Sequence, residues 1–202
     1  MMKTKYIIAA LSALMLSVSG LWAQNKDFRE ALKLQQRGMH SRASIMFGGL
    51  SRELRSADPE GYSVLSEVIM DLESYESRMN DYLKRNPHSA LASQMMYRHA
   101  INLFEAQDYI AAAEAFSRFP ASHVEESDLN EYLFKKAYCE LETGDADRAL
   151  LQFLDLTARP VSDFTAPARY SIAYINYDRE NYQEALKWFE MTAQDRRFAE
   201  VS

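Results

Sequence analysis

Small and aromatic residues recur along this chain in a fixed phase. The pattern Ala, eleven residues, Ala, three residues, aromatic occurs as Ala31–Ala43–Phe47, Ala100–Ala112–Phe116, Ala137–Ala149–Phe153 and Ala173–Ala185–Phe189. A degenerate copy lies between the first two, with Ser66, Arg78 and Tyr82 in the three places. The leading positions fall at 31, 66, 100, 137 and 173, at intervals of 35, 34, 37 and 36 residues. A period of this length is the mark of a helical repeat array. It predicts two antiparallel helices per unit, A and B, with one alanine on each. Both are small so that the helices approach closely where they cross. The aromatic, one turn after the second alanine, shares its face and fills the space toward the next unit.

The joints carry their own signals. Gly38, Asp108, Gly144-Asp145 and Glu180-Asn181 fall between the two alanines of their units, where one helix must stop and another be capped. Tyr109 and Tyr182, and Tyr75 in the degenerate copy, follow that turn. Asp58-Pro59, Asn86-Pro87, Phe119-Pro120 and Ala166-Pro167 mark boundaries between units, where a missing N–H does least harm. The composition agrees. Six Gly and five Pro in 202 residues are well below the usual share of about 12%, which disfavours sandwiches, propellers and Gly-rich nucleotide folds. The predicted class is all-α: a right-handed α-solenoid of about five helix–turn–helix repeats, at approximately 24–57, 59–89, 90–126, 127–163 and 164–198.

The N-terminus reads differently. Met1-Met2-Lys3-Thr4-Lys5 is basic, Tyr6 to Val18 is an apolar run, and Ser19-Gly20-Leu21-Trp22-Ala23 offers a small residue before Gln24. This is the pattern of a secretory signal peptide over 1–23. No cysteine lies near the cleavage site, so a lipoprotein anchor is excluded. Export to the periplasm, with or without peripheral association with the outer membrane, is expected. Removal of Lys3 and Lys5 would take the net charge from −6 to −8.

The repeat residues resemble the tetratricopeptide repeat family, most closely in Asn176-Tyr177-Asp178-Arg179-Glu180-Asn181-Tyr182-Gln183-Glu184-Ala185-Leu186 and next in Leu141 to Leu150. The resemblance covers nearly all of 26–194. Its helix-A small residue falls on Ala31, Ser66, Ala100, Ala137 and Ala173, and its helix-B alanine on Ala43, Ala112, Ala149 and Ala185, with Arg78 departing. The early helix-A tryptophan is replaced by Met96, Leu133 and Arg169. The resemblance implies a protein-interaction scaffold. A helix B5 with Leu186, Phe189 and Met191 and no polar capping helix after it suggests the N-terminal part of a longer chain.

Reactive chemistry is hard to find. His40, His88, His99 and His123 show no metal-ligand spacing, and Gly-rich phosphate loops and serine-nucleophile motifs are absent. Cys139 is expected to be a packed core thiol. The carboxylate pairs fall in linkers and at helix ends, where acids favour the helix dipole. No catalytic residue, metal site or cofactor is predicted. Nucleic acid is disfavoured, because no basic cluster exists to displace counterions, and no small-molecule substrate is evident.

In the resembled family, helix A lines the inner, concave wall. Counting from its alanine, the ligand-facing positions are Phe28, Ser63, Tyr97, Phe134 and Tyr170 (three before), Leu32, Glu67, Ile101, Tyr138 and Tyr174 (one after), and Gln35, Met70, Phe104, Leu141 and Tyr177 (four after). The last three units give Tyr97, Ile101, Phe104, Phe134, Tyr138, Leu141, Tyr170, Tyr174 and Tyr177 as the expected partner-binding face. An aromatic wall suits an extended peptide or partner helix and disfavours the family's Lys/Asn/Arg carboxylate clamp. The alternatives are a sensory module of a larger receptor or the recruiting arm of an enzyme.

Overall fold

The computed structural model describes residues 26–54, 57–119 and 121–194. Among them lie α1 (Lys26–Gln36), α2 (His40–Leu54), α3 (Ala57–Ile69), α4 (Tyr75–Arg85), α5 (Ala90–Glu105), α6 (Tyr109–Arg118), α7 (Glu126–Glu142), α8 (Ala146–Ala158), α9 (Thr165–Asp178) and α10 (Tyr182–Ala193), and no strand. A short 3-10 turn, Ala121–His123, precedes α7. The expected signal-peptide segment 1–23, Pro120 and the last residues of the fifth expected repeat lie outside the described residues. No described helix is long and apolar enough to cross a membrane.

The repeat phase has a clear structural basis. Ala31, Ser66, Ala100, Ala137 and Ala173 sit on α1, α3, α5, α7 and α9, all fully buried. Ala43, Ala112, Ala149 and Ala185 sit on the even-numbered partners α2, α6, α8 and α10 and are likewise buried. Phe47, Phe116 and Phe153 are buried four residues later, whereas Phe189 on α10 is half-buried.

Each odd-to-even turn closes the same way. Its second residue beyond the helix is left-handed: Gly38 (φ 75°), Asp71 (φ 52°), Gln107 (φ 62°), Gly144 (φ 93°) and Glu180 (φ 60°). That residue's N–H donates three residues back, and the next N–H donates five back: Gly144 N to Leu141 O at 3.0 Å and Asp145 N to Glu140 O at 2.8 Å. The same pair recurs at Gly38 and Met39, Asp71 and Leu72, Gln107 and Asp108, and Glu180 and Asn181. This is the Schellman closure, which satisfies carbonyls orphaned at the helix end. Asp108 and Asp145 then cap the next helix, accepting from Ala111 N at 3.1 Å and Arg148 N at 3.2 Å. Glycine is free at such φ. Asp71, Gln107 and Glu180 carry the steric penalty of the left-handed region.

The contacts divide the chain into two units, residues up to Asn102 and residues from Leu103 on, with the boundary inside α5. In the first unit α1 packs on α2, α2 on α3 and α3 on α4. Phe28, Phe47 and Tyr62 form its aromatic centre: Phe47 and Tyr62 stack at 5.0 Å, and Phe28 meets both edge-on at 5.5 and 5.7 Å.

The degenerate copy belongs to this unit. Its left-handed residue follows Ser66 by five positions instead of seven, and α4 begins four residues after that residue instead of two. A helix shorter by two residues is followed by a turn longer by two, so the sequence spacing from Ser66 to Arg78 survives while the buried position on α4 moves to Met79. Met79, not Arg78, is buried beside Tyr75 and Tyr82. Arg78 is exposed and pairs with the nearly buried Glu67, which also accepts from Ser44 Oγ at 3.2 Å. Gly61 on α3 marks a close approach: a Cβ there would sit 2.6 Å from Tyr82 Oη and 2.7 Å from Leu91 Cδ1.

In the second unit α6 packs on α7, α7 on α8, α8 on α9 and α9 on α10. Ala137, Ala149, Phe153, Leu156, Ala168, Ile172 and Ile175 form one buried cluster. Phe116 meets Tyr132 of the next helix pair edge-on at 5.6 Å. The Tyr132 hydroxyl donates to Phe119 O at 2.8 Å, satisfying a carbonyl where α6 has ended. Its burial pushes the phenol up to about 12.

Candidate functional site

The fifteen positions mapped onto helix A do not form one open wall. In the first unit Phe28, Leu32, Gln35, Ser63 and Glu67 are buried, as are Tyr97 and Ile101 on α5. This corrects the expectation for Tyr97 and Ile101, which are closed to a partner. The packing of Phe28 against both Phe47 and Tyr62 shows the reason. The position three before the alanine interlocks an odd helix with its own even helix and with the following pair. Phe134 does the same in the second unit, meeting Phe153 at 5.7 Å and Phe164 at 5.6 Å.

Phe104, Tyr138 and Leu141 are half-buried. Phe104, Tyr138 and Tyr109 form a triangle of edge-on rings with centroids 5.6–5.7 Å apart. The triangle already has a cation. Lys135 Nζ lies 5.0 Å from the Phe104 centroid and donates to Glu105 Oε1 at 2.8 Å, with Glu131 Oε1 at 3.0 Å. Lys135 is 6% exposed, so its charge is compensated within the fold and not offered to solvent. Sequence reasoning missed this lysine because it lies two residues before Ala137, off the three mapped rows. The available signal was Glu131 four residues earlier on the same helix.

The exposed part of the face is α9. Tyr170, Tyr174 and Tyr177 are 47%, 51% and 58% exposed. Spaced by four and three residues, they share one side of the helix. Tyr170 meets Phe189 edge-on at 5.6 Å, and Tyr177 meets the exposed Tyr182 at the same distance. Asp178 continues the row one turn beyond Tyr174, and Glu180 occupies the turn after the helix. Arg179, between them, is committed to Asp147 at 2.7 Å.

Reactive groups elsewhere are quiet. Cys139 is fully buried, and burial pushes its thiol up to about 12, so it stays protonated at neutral pH. His99 receives or donates a 2.7 Å hydrogen bond with Tyr75 Oη through Nδ1, and burial lowers its pKa. His40 is lowered by burial and by Arg98. Among the described residues no group of three or more His, Cys, Asp or Glu is placed to hold a metal ion.

No family model matches the chain, and no curated protein matches it. Solved structures do. A structure of MamA AMB-1 aligns with TM-score 0.67 at 13% identity, over 84% of this chain and 89% of that one. MamA from Desulfovibrio magneticus RS-1 aligns with TM-score 0.64 at 13% identity, over 85% and 93%. A double mutant of MamA RS-1 aligns with TM-score 0.65 at 12% identity, over 87% and 96%. Identity this low carries the fold alone. The chain has an all-α fold of helix–turn–helix repeats, of the tetratricopeptide type that its sequence resembles.

Proposed function

We propose that this chain is an exported, non-catalytic scaffold of the cell envelope that holds an extended segment of a partner protein along the tyrosine row of α9. The observation that carries the reading is the accessibility of Tyr170, Tyr174 and Tyr177 together, while the equivalent positions of the preceding helices are buried or engaged within the fold. Tyrosine supplies large contact area at low entropy cost and a hydroxyl for hydrogen bonding, which suits recognition of an irregular chain. Export is supported by the basic start, the apolar run and the Ala23 boundary.

Two measurements test this. Fractionation of the producing cell is expected to recover a chain beginning near Gln24 outside the cytoplasm; an uncleaved cytoplasmic chain would remove the envelope assignment. A photo-crosslinking amino acid at Tyr174 is expected to give discrete protein adducts that the same group at Glu114, exposed on α6, does not give. Identical adduct patterns from both positions would rule out α9 as the binding face.

A further inference from the structure

The charge of this protein is unevenly placed. Residues 1–102 contain 13 Lys and Arg against 10 Asp and Glu, whereas residues 103–202 contain 10 against 19. The second unit therefore carries net charge −9 and the first +3, or +1 once Lys3 and Lys5 are removed. Within the second unit, most basic side chains are spent on partners in the chain: Lys135 on Glu105 and Glu131, Arg118 on Glu114, Arg148 on Asp145, Arg159 on Glu126, Arg179 on Asp147 and Lys187 on Glu184. Asp178 and Glu180 form no ion pair among the described residues. Both are exposed, and both stand where α9 ends, so the negative pole of the helix adds to their charge. Tyr174, Tyr177 and Tyr182 lie beside that corner, each more than half exposed, and offer aromatic surface to a cation.

We infer that the segment held by α9 is basic: an extended peptide with Arg or Lys at intervals among apolar residues, its cations settling at the Tyr177–Asp178–Glu180–Tyr182 corner and its apolar side chains against Tyr170 and Tyr174. This rests on the proposal that α9 is the binding face and adds the chemistry of its partner. Charge complementarity argues for it. A cation here gains ring-face attraction, two unpaired carboxylates and the helix terminus together, while an acidic segment meets the like-charged unit. The buried Lys135 over Phe104, held by two glutamates, shows the same aromatic-plus-carboxylate recognition of a cation satisfied internally, on α7.

The test uses the whole mature chain and fluorescence anisotropy with a labelled peptide of about 12 residues alternating Arg and Leu, beside one with every Arg replaced by Glu and one with every Arg replaced by Gln. The Arg peptide is expected to bind at least about tenfold tighter than the Glu peptide, and to lose several-fold in affinity as salt is raised. Asp178→Asn with Glu180→Gln is expected to weaken the Arg peptide about threefold to tenfold while leaving the Gln peptide unchanged, with an unaltered circular dichroism spectrum. Equal or tighter binding of the Glu peptide, or no effect of the double substitution, overturns the basic partner but leaves the α9 face standing. If none of the three peptides binds, or if Tyr174→Ala with Tyr177→Ala changes the binding of none of them, the face itself is wrong and this inference falls with it.

Discussion

The two units share one repeat plan and use it to opposite ends. In the first, the odd-helix positions around the small residue are turned inward. Phe28 locks onto Phe47 and Tyr62, and Ser63 and Glu67 join a polar cluster with Ser44 and Arg78. In the second, the same positions emerge progressively, from the half-buried Phe104 and Tyr138 to the exposed row on α9. The difference is one of neighbours. A position that interlocks successive helix pairs is buried where a further pair packs over it, and stays accessible on α9, whose described neighbours are α8 and α10. A repeat position therefore specifies a direction on a helix, and the surroundings decide whether that direction is core or surface.

The largest expected effect tests whether the repeat phase is the true skeleton of both units. Ala149→Leu in the second unit places three extra carbons at a fully buried helix crossing, and is expected to destabilise by about 1–3 kcal/mol in a denaturant titration. Arg78→Lys, at the position of the same phase in the first unit, keeps a cation for the nearly buried Glu67 and is expected to change stability by about 1 kcal/mol or less, because Arg78 is exposed and does not sit at a close crossing. Equal penalties would mean that Arg78 occupies a close crossing as Ala149 does.

Next in size is the left-handed turn residue. Gly144→Ala meets no atom within 4 Å, so its expected penalty of about 1 kcal/mol is purely conformational. Glu180→Gly is expected to change stability the other way by a smaller amount, about 0.5 kcal/mol, since relief of φ strain is partly offset by the greater freedom of the unfolded chain. A destabilising Glu180→Gly in thermal unfolding would show that the glutamate side chain contributes something its geometry does not reveal. Removal of the hydroxyl in Tyr132→Phe is expected to cost about 1 kcal/mol by removing its hydrogen bond to Phe119 O.

The smallest effect separates the units by pH. Burial lowers His40 and His99, both in the first unit. A histidine whose folded pKa lies below its unfolded value stabilises the fold above the unfolded value near 6.5, and that contribution is lost as pH falls through the folded value. Glu60, lowered chiefly by its hydrogen bond with Arg85, acts in the same sense below the ordinary carboxylate range. In the second unit burial raises Glu140, so acidification through its unfolded pKa removes no stability from that group. Hydrogen exchange followed segment by segment from pH 7 to pH 5 is therefore expected to loosen residues 40–54 and 57–102 more than residues 126–194. Uniform loosening would contradict this division.

Much of the fold was legible because close helix crossings demand small residues at a fixed period, and alanines are easy to count. The turns were legible where they used Gly38, Gly144 or an aspartate cap. The turn at Glu180-Asn181 was marked as well, but the turn at Asp71 carried no signal, and at Asp71, Gln107 and Glu180 nothing announced the left-handed residue, because residues other than glycine accept that backbone geometry there. The candidate face was less legible. All nine of its proposed residues lie on helix A, but Tyr97 and Ile101 belong to the interior, and Lys135 entered from a row the counting did not include.

The sequence by itself determined the all-α class, the repeat period and which residues lie on each helix, because those follow from local spacing and from the steric needs of a helix crossing. The tertiary structure decided which of those residues are covered. It showed that a shortened helix and a lengthened turn cancel in the spacing of the second repeat while Met79 takes the buried place of Arg78, and that the cation beside Phe104 is supplied by the chain itself. Burial and charge compensation depend on helices distant in sequence, and no periodicity along one chain records what packs across it.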